Sequence, residues 1–124
     1  MEKKLSENIK KGGSYVEVVQ YLHKEGTKPD WGFSCLIEGT EKTILFDTGT
    51  QPQILMHNVG VLGVDLKKVD EIVISHGHDD HTGGLTAVLE KNPNVTVFFP
   101  VSFPPEFGRR VESLKAEART RREF

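Results

Sequence analysis

The sequence has 124 residues, 16 basic and 18 acidic side chains and a formal net charge of −2 at pH 7. That length suits one domain, and the near-neutral balance gives neither nucleic acid nor a membrane surface a charge excess to recognise. Apolar runs such as Ile72 to Ile74 fall far short of a membrane span or a signal-peptide core, and the lone cysteine, Cys35, excludes an intramolecular disulfide. The expected setting is the cytoplasm.

In chain order, residues 1–13 are polar and end in Gly12-Gly13, which reads as a helical or frayed lead-in. Val16, Val18 and Val19, with Tyr15 and Tyr21, give residues 14–22 the β-branched and aromatic density of a strand. Gly26, Pro29, Asp30 and Gly32 mark a loop over 23–32. Phe33, Cys35 and Ile37 alternate with their neighbours as a second strand, and 39–42 reads as a turn into a third strand over 43–47. Pro52 suits the first turn of a helix to about Asn58, where its missing N–H is harmless. Leu66 and Val69 flank a short turn or helix. Residues 71–75 are nearly all apolar, the mark of a strand buried on both faces.

A helix over 85–91 and a strand over 95–99 follow, the first ended by Asn92-Pro93-Asn94. Phe107, Val111, Leu114 and Ala118 then recur at helical spacing, which predicts one amphipathic helix over 106–124 with a solvated basic face.

The chemistry lies in residues 76–81, His-Gly-His-Asp-Asp-His, which hold three of the five histidines. In an extended segment alternate side chains face the same way, so His76 and His78 can converge on one ion. Asp80 and His81 follow the start of a turn and can be aimed at a second. Imidazole nitrogen with carboxylate oxygen suits zinc first, and also iron or manganese, with up to two ions expected. Gly77 lets the backbone bend closely around them. His23 reads as a surface residue, His57 as a packing or capping residue, Cys35 as a small buried hydrophobe and Trp31 as packing or the rim of a pocket.

The His-x-His-x-Asp-His pattern of residues 76–81 resembles the signature of the metallo-β-lactamase superfamily, and Leu45-Phe46-Asp47-Thr48-Gly49 matches a second element of that family. Ile72 to His78 and His81 to Gly84 look most like the dihydropterin ribofuranosyl-aminobenzene phosphate synthase-like branch. The resemblance runs from about Trp31 to Val111. It implies an α/β fold, half of an αββα sandwich, in which a mixed β-sheet carries helices on one face. The half domain would occupy 14–105, with a metal loop at 75–84. The resemblance also gives Asp47 a role in supporting the metal loop, for which its carboxylate can accept either backbone N–H groups or an imidazole N–H that fixes ring orientation.

The resemblance implies a metal-dependent hydrolase that activates water on a small-molecule substrate. His76 and His78 would hold one metal and Asp80 and His81 the other, with Asp80 also catalytic in orienting the nucleophile. Two further readings stand beside it: glycosyl transfer in pterin cofactor biosynthesis, and a split or truncated non-catalytic half that binds metal weakly. The family's second half supplies two more histidines and a bridging aspartate, and no histidine follows His81 here. A homodimer or a complementary C-terminal half is therefore the expected partner.

Overall fold

The computed structural model describes the backbone of residues 9–10 and 13–19, and residues 26–28, 33–39, 41–75 and 82–121 in full. Among the described residues seven strands form one sheet in chain order: β1 (Ile9–Lys10), β2 (Gly13–Val19), β3 (Ser34–Gly39), β4 (Thr43–Phe46), β5 (Glu71–Val73), β6 (Thr96–Pro100) and β7 (Glu117–Arg121). The first four run antiparallel to their neighbours, and β4 to β7 are parallel. Parallel neighbours need crossovers. Three helices supply them: α1 (Pro52–Leu62), α2 (Leu85–Lys91) and α3 (Pro105–Ser113). Each crossover steps the same way along the sheet. Right-handed connection then sends every helix to the same face.

Strand parity separates the two faces. Leu36, Leu45, Ile72, Val97 and Phe99 point into a buried cluster with Leu55, Val59 and Leu62 of α1, Leu85, Val88 and Leu89 of α2, and Val111 of α3. The opposite face carries a register row from Cys35 through Phe46, Val73 and Phe98 to Arg119. A second row runs Ile37, Ile44, Glu71, Thr96, Glu117. Ile37 is 37% exposed, and Ile44, Phe46 and Val73 are partly exposed. The apolar run at β5 is therefore sealed only on its Ile72 side, not on both. Cys35 is buried, as its alternation implies, but on the face without helices.

The elements differ from the sequence reading at three places. Ile9 and Lys10 are a strand paired with Ser14 and Gly13, so that part of the lead-in belongs to the sheet and is not helical. The first helix runs past Asn58 to Leu62 and stops at Gly63, whose φ of 71° forms the left-handed cap. Gly60 is carried inside it.

The third difference is the largest. The helix expected over 106–124 ends at Ser113, and residues 117–121 are strand β7. Lys115 takes φ 75° and reverses the chain. Glu117 then donates its N–H to Val95 O and enters the ladder on the open edge of β6. Ala118 keeps its place beside the core because strand parity, like helical periodicity, turns it that way. The basic residues separate accordingly. Arg110 reaches Thr86 Oγ1 at 2.7 Å from the helix, whereas Arg121 lies 4.7 Å over the Phe98 ring on the face without helices.

Leu45 is fully buried at the centre of the sheet. Leu45→Ala is expected to destabilise the fold by about 2–5 kcal/mol, the usual cost of truncating a leucine in a packed core. A shift of the denaturation midpoint by urea titration checks this.

Candidate metal centre

Residues 76–81 carry the four expected ligands His76, His78, Asp80 and His81, and they lie outside the described residues, as do His23 and Trp31. The residues on both sides of that span are described. Among the described residues no three His, Cys, Asp or Glu side chains gather into a ligand cluster.

The span begins where β5 ends. Parallel pairing of Phe46 with Val73 places the C-terminal ends of β4 and β5 side by side, the end at which open α/β sheets place their ligands. Asp47 follows β4 in the left-handed conformation, φ 59°, which aspartate tolerates better than most residues. Its N–H donates to Val73 O at 2.8 Å. Its carboxylate is fully buried and accepts twice from one residue, Ser75: N–H to Oδ1 at 2.8 Å and Oγ–H to Oδ2 at 2.6 Å. Such charge-assisted bonds are the strong ones. From the other side Ser34 Oγ donates to Asp47 O at 2.7 Å, and Gly49 N–H donates to Phe33 O at 2.9 Å. Asp47 therefore holds Ser75, the residue directly before His76 in the sequence.

The span ends at Thr82, which is buried, and is followed by Gly83 and Gly84. Gly83 N–H donates to Gly49 O at 2.6 Å and Gly84 N–H to Thr48 O at 3.1 Å. Contact is so close that a Cβ on Gly83 would overlap the Thr50 carbonyl, and one on Gly84 would lie 2.5 Å from both Thr48 O and Leu55 Cδ2. These glycines are required by backbone approach rather than by φ. Leu55 of α1 thus packs directly against the start of α2.

Asp47 lies beside the start of this span, and Ser34, Ser75 and the contact of Gly83 and Gly84 with Thr48 and Thr50 stand with it without having been singled out in the sequence. The usable signal was a small hydroxyl residue immediately before the first histidine. His57 is exposed, and its Nε2 lies 3.0 Å from Gly26 O. Beside it Asn58 is buried and exchanges two hydrogen bonds with the Lys28 backbone, docking residues 26–28 on α1. The Lys42 ammonium is held above its usual pKa by a hydrogen bond and charge from Glu71. It lies at the opposite end of β4 and takes no part here.

The chain belongs to the metallo-beta-lactamase superfamily, whose family model matches residues 29–120. Among its relatives is a 7,8-dihydropterin-6-methyl-4-(beta-D-ribofuranosyl)-aminobenzene-5'-phosphate synthase from Methanocaldococcus jannaschii. It is 40% identical over a 94-residue alignment that covers 64% of this chain and 32% of that protein. An anaerobic nitric oxide reductase flavorubredoxin of Vibrio vulnificus is 40% identical over 60 residues, 47% of this chain and 12% of that protein. The chain thus spans a third or less of the length of these relatives.

Among solved structures, Tm1679, described as a metal-dependent hydrolase of the beta-lactamase superfamily, superposes with a TM-score of 0.55 at 29% identity. The match covers 70% of this chain and 30% of that one. The metallo-beta-lactamase fold protein YhfI of Bacillus subtilis superposes with a TM-score of 0.65 at 14% identity over 86% of this chain and 44% of that one, a likeness of fold. No described helix is long and apolar enough to cross a membrane.

Asp47→Ala removes both acceptors of Ser75 and puts alanine in a left-handed position. The expected loss is on the order of 2–3 kcal/mol, since bonds to a charged partner contribute about 1.5–3 kcal/mol each and part is recovered by solvation of Ser75. Thermal unfolding of the metal-free chain measures it.

Proposed function

We propose that this chain is the metal-binding half of a metal-dependent hydrolase. The observation that carries the reading is the buried Asp47 carboxylate bound to Ser75, one residue before a His-x-His-x-Asp-His sequence. The donor set fits the group: imidazoles and a carboxylate suit zinc, and also iron or manganese. His76 and His78 would hold one ion, and Asp80 and His81 a second. A metal held there would supply the Lewis acidity that makes water a nucleophile at neutral pH. Asp80 would orient that nucleophile, and Asp47 holds Ser75, the residue before the first of these ligands. The kinship with Tm1679 supports hydrolysis as the reaction class.

Two protein ligands per ion do not fix a catalytic geometry, which usually needs three. The remaining ligands come from outside these 124 residues, supplied by a second copy or a complementary half packed on the sheet face that bears Ile37, Ile44, Phe46 and Val73. In this reading the chain alone is a weak metal binder with little turnover. A second reading, glycosyl transfer in pterin biosynthesis, is favoured by the 40% identity to the M. jannaschii synthase. Pterin-precursor turnover without ester or phosphodiester hydrolysis would select it.

Elemental analysis after dialysis against a mild chelator is expected to find fewer than two ions per chain, falling further in His76→Ala. Steady-state assays on generic esters and phosphodiesters, with zinc or manganese added, are expected to show activity that rises with a complementary half or with protein concentration. That activity should disappear in His78→Ala and Asp80→Ala. Absence of metal from the wild-type chain, unchanged by His76→Ala, would end the metal reading. Robust concentration-independent turnover lost in both variants would instead show that no partner is needed.

A further inference from the structure

We infer that Ser75, Gly83 and Gly84 are positioning residues for metal binding, because with Asp47–Thr50 they fasten residues 76–81 at both ends to one buried segment. The inference rests on the metal reading above and extends it to residues that hold no ligand atom.

The entry point is fixed by two bonds to a single carboxylate. Ser75 N–H to Asp47 Oδ1 sets the backbone, and Ser75 Oγ–H to Oδ2 sets the side-chain rotamer. The carboxylate cannot yield, because Asp47 is itself pinned through its N–H to Val73 O and through its carbonyl to Ser34 Oγ. The exit point is fixed by backbone alone. Gly83 and Gly84 donate to Gly49 O and Thr48 O, and neither site has room for a Cβ. Between these points lie Thr82 and the six residues 76–81.

Both ends are thus set by the same four residues, Asp47 to Thr50. Fixing both ends of a ligand-bearing span leaves less ordering for metal binding to drive. Partners that orient ligands from behind typically change metal affinity 10- to 100-fold when removed. Ser75 is the part of this arrangement that can be altered without opening a cavity in the apolar core, because its side chain is only partly buried; losing its hydroxyl removes one bond to the Asp47 carboxylate.

The test is titration of the metal-free chain with cobalt(II) alone, read by its visible absorption, which reports both affinity and coordination. The variants are Ser75→Ala, the matched pair Ser75→Thr and Ser75→Val, and Gly83→Ala, with His76→Ala as the ligand control. Ser75→Ala and Ser75→Val are expected to weaken cobalt binding by roughly tenfold or more and to alter the spectrum. Ser75→Thr, which keeps the hydroxyl, is expected to stay near wild type. Gly83→Ala is expected to weaken binding as well. Comparing Thr with Val at equal shape separates the hydroxyl from any effect on folding. Wild-type affinity and spectrum in Ser75→Val would overturn the inference while leaving the metal reading intact. No cobalt bound by any chain, wild type included, would overturn both.

Discussion

The structure around the candidate site turns on one buried carboxylate in a left-handed turn. At the end of β4 the chain must leave the sheet and start toward α1, and a left-handed residue makes that exit abrupt. Asp47 occupies it with φ 59° and 0% exposure. A carboxylate so placed is costly unless hydrogen-bonded, and Ser75 supplies two bonds from the neighbouring parallel strand end. The cost of burial thereby ties β4 to the point where the histidine-rich span begins. The same turn presents Thr48 and Gly49 carbonyls to Gly84 and Gly83, so a single irregular segment organises both flanks of the span.

That segment depends on the sheet's order. Chain-order strands with β4, β5 and β6 parallel bring the ends of β4 and β5 together without any long-range rearrangement. The crossover helices all fall on one face, and α1 and α2 meet where Leu55 packs against Gly84. The other face carries none of the described helices and holds a row that is apolar across β3 to β6 and charged at β7. Arg121 lying over Phe98 covers part of that row, its guanidinium attracted to the ring face. The proposed partner would occupy the remainder, and the same architecture would thus serve the site twice, by fixing its near ligands and by receiving the far ones.

Much of this was legible in the residues. Alternation in 33–37, the apolar strand starting at Glu71 and the helix over 85–91 each depend on local periodicity, and each stands in the structure. Asp47 was singled out because Leu45-Phe46-Asp47-Thr48-Gly49, at the end of a strand, matches a family element, and its burial and bonds to Ser75 are what the structure adds. The tail misled for a physical reason. Phe107, Val111, Leu114 and Ala118 satisfy a helical period, but Ala118 satisfies strand parity equally well. Periodicity gives no weight to the unpaired edge of β6 that captures Glu117–Arg121.

The sequence by itself determined the local and the familial: which stretches are strands or helices through most of the chain, and the family that the His-x-His-x-Asp-His pattern of residues 76–81 resembles, from which the proposed ligands His76, His78, Asp80 and His81 come. Only the tertiary structure decided which residues touch across distance. Ser75 meets Asp47 over 28 positions of chain, and Gly83 meets Gly49 and Thr50 because two loops are pressed together without side chains between them. Contacts of that kind leave no periodic trace in a single sequence, since they depend on where the sheet brings strand ends together rather than on the pattern within any one element.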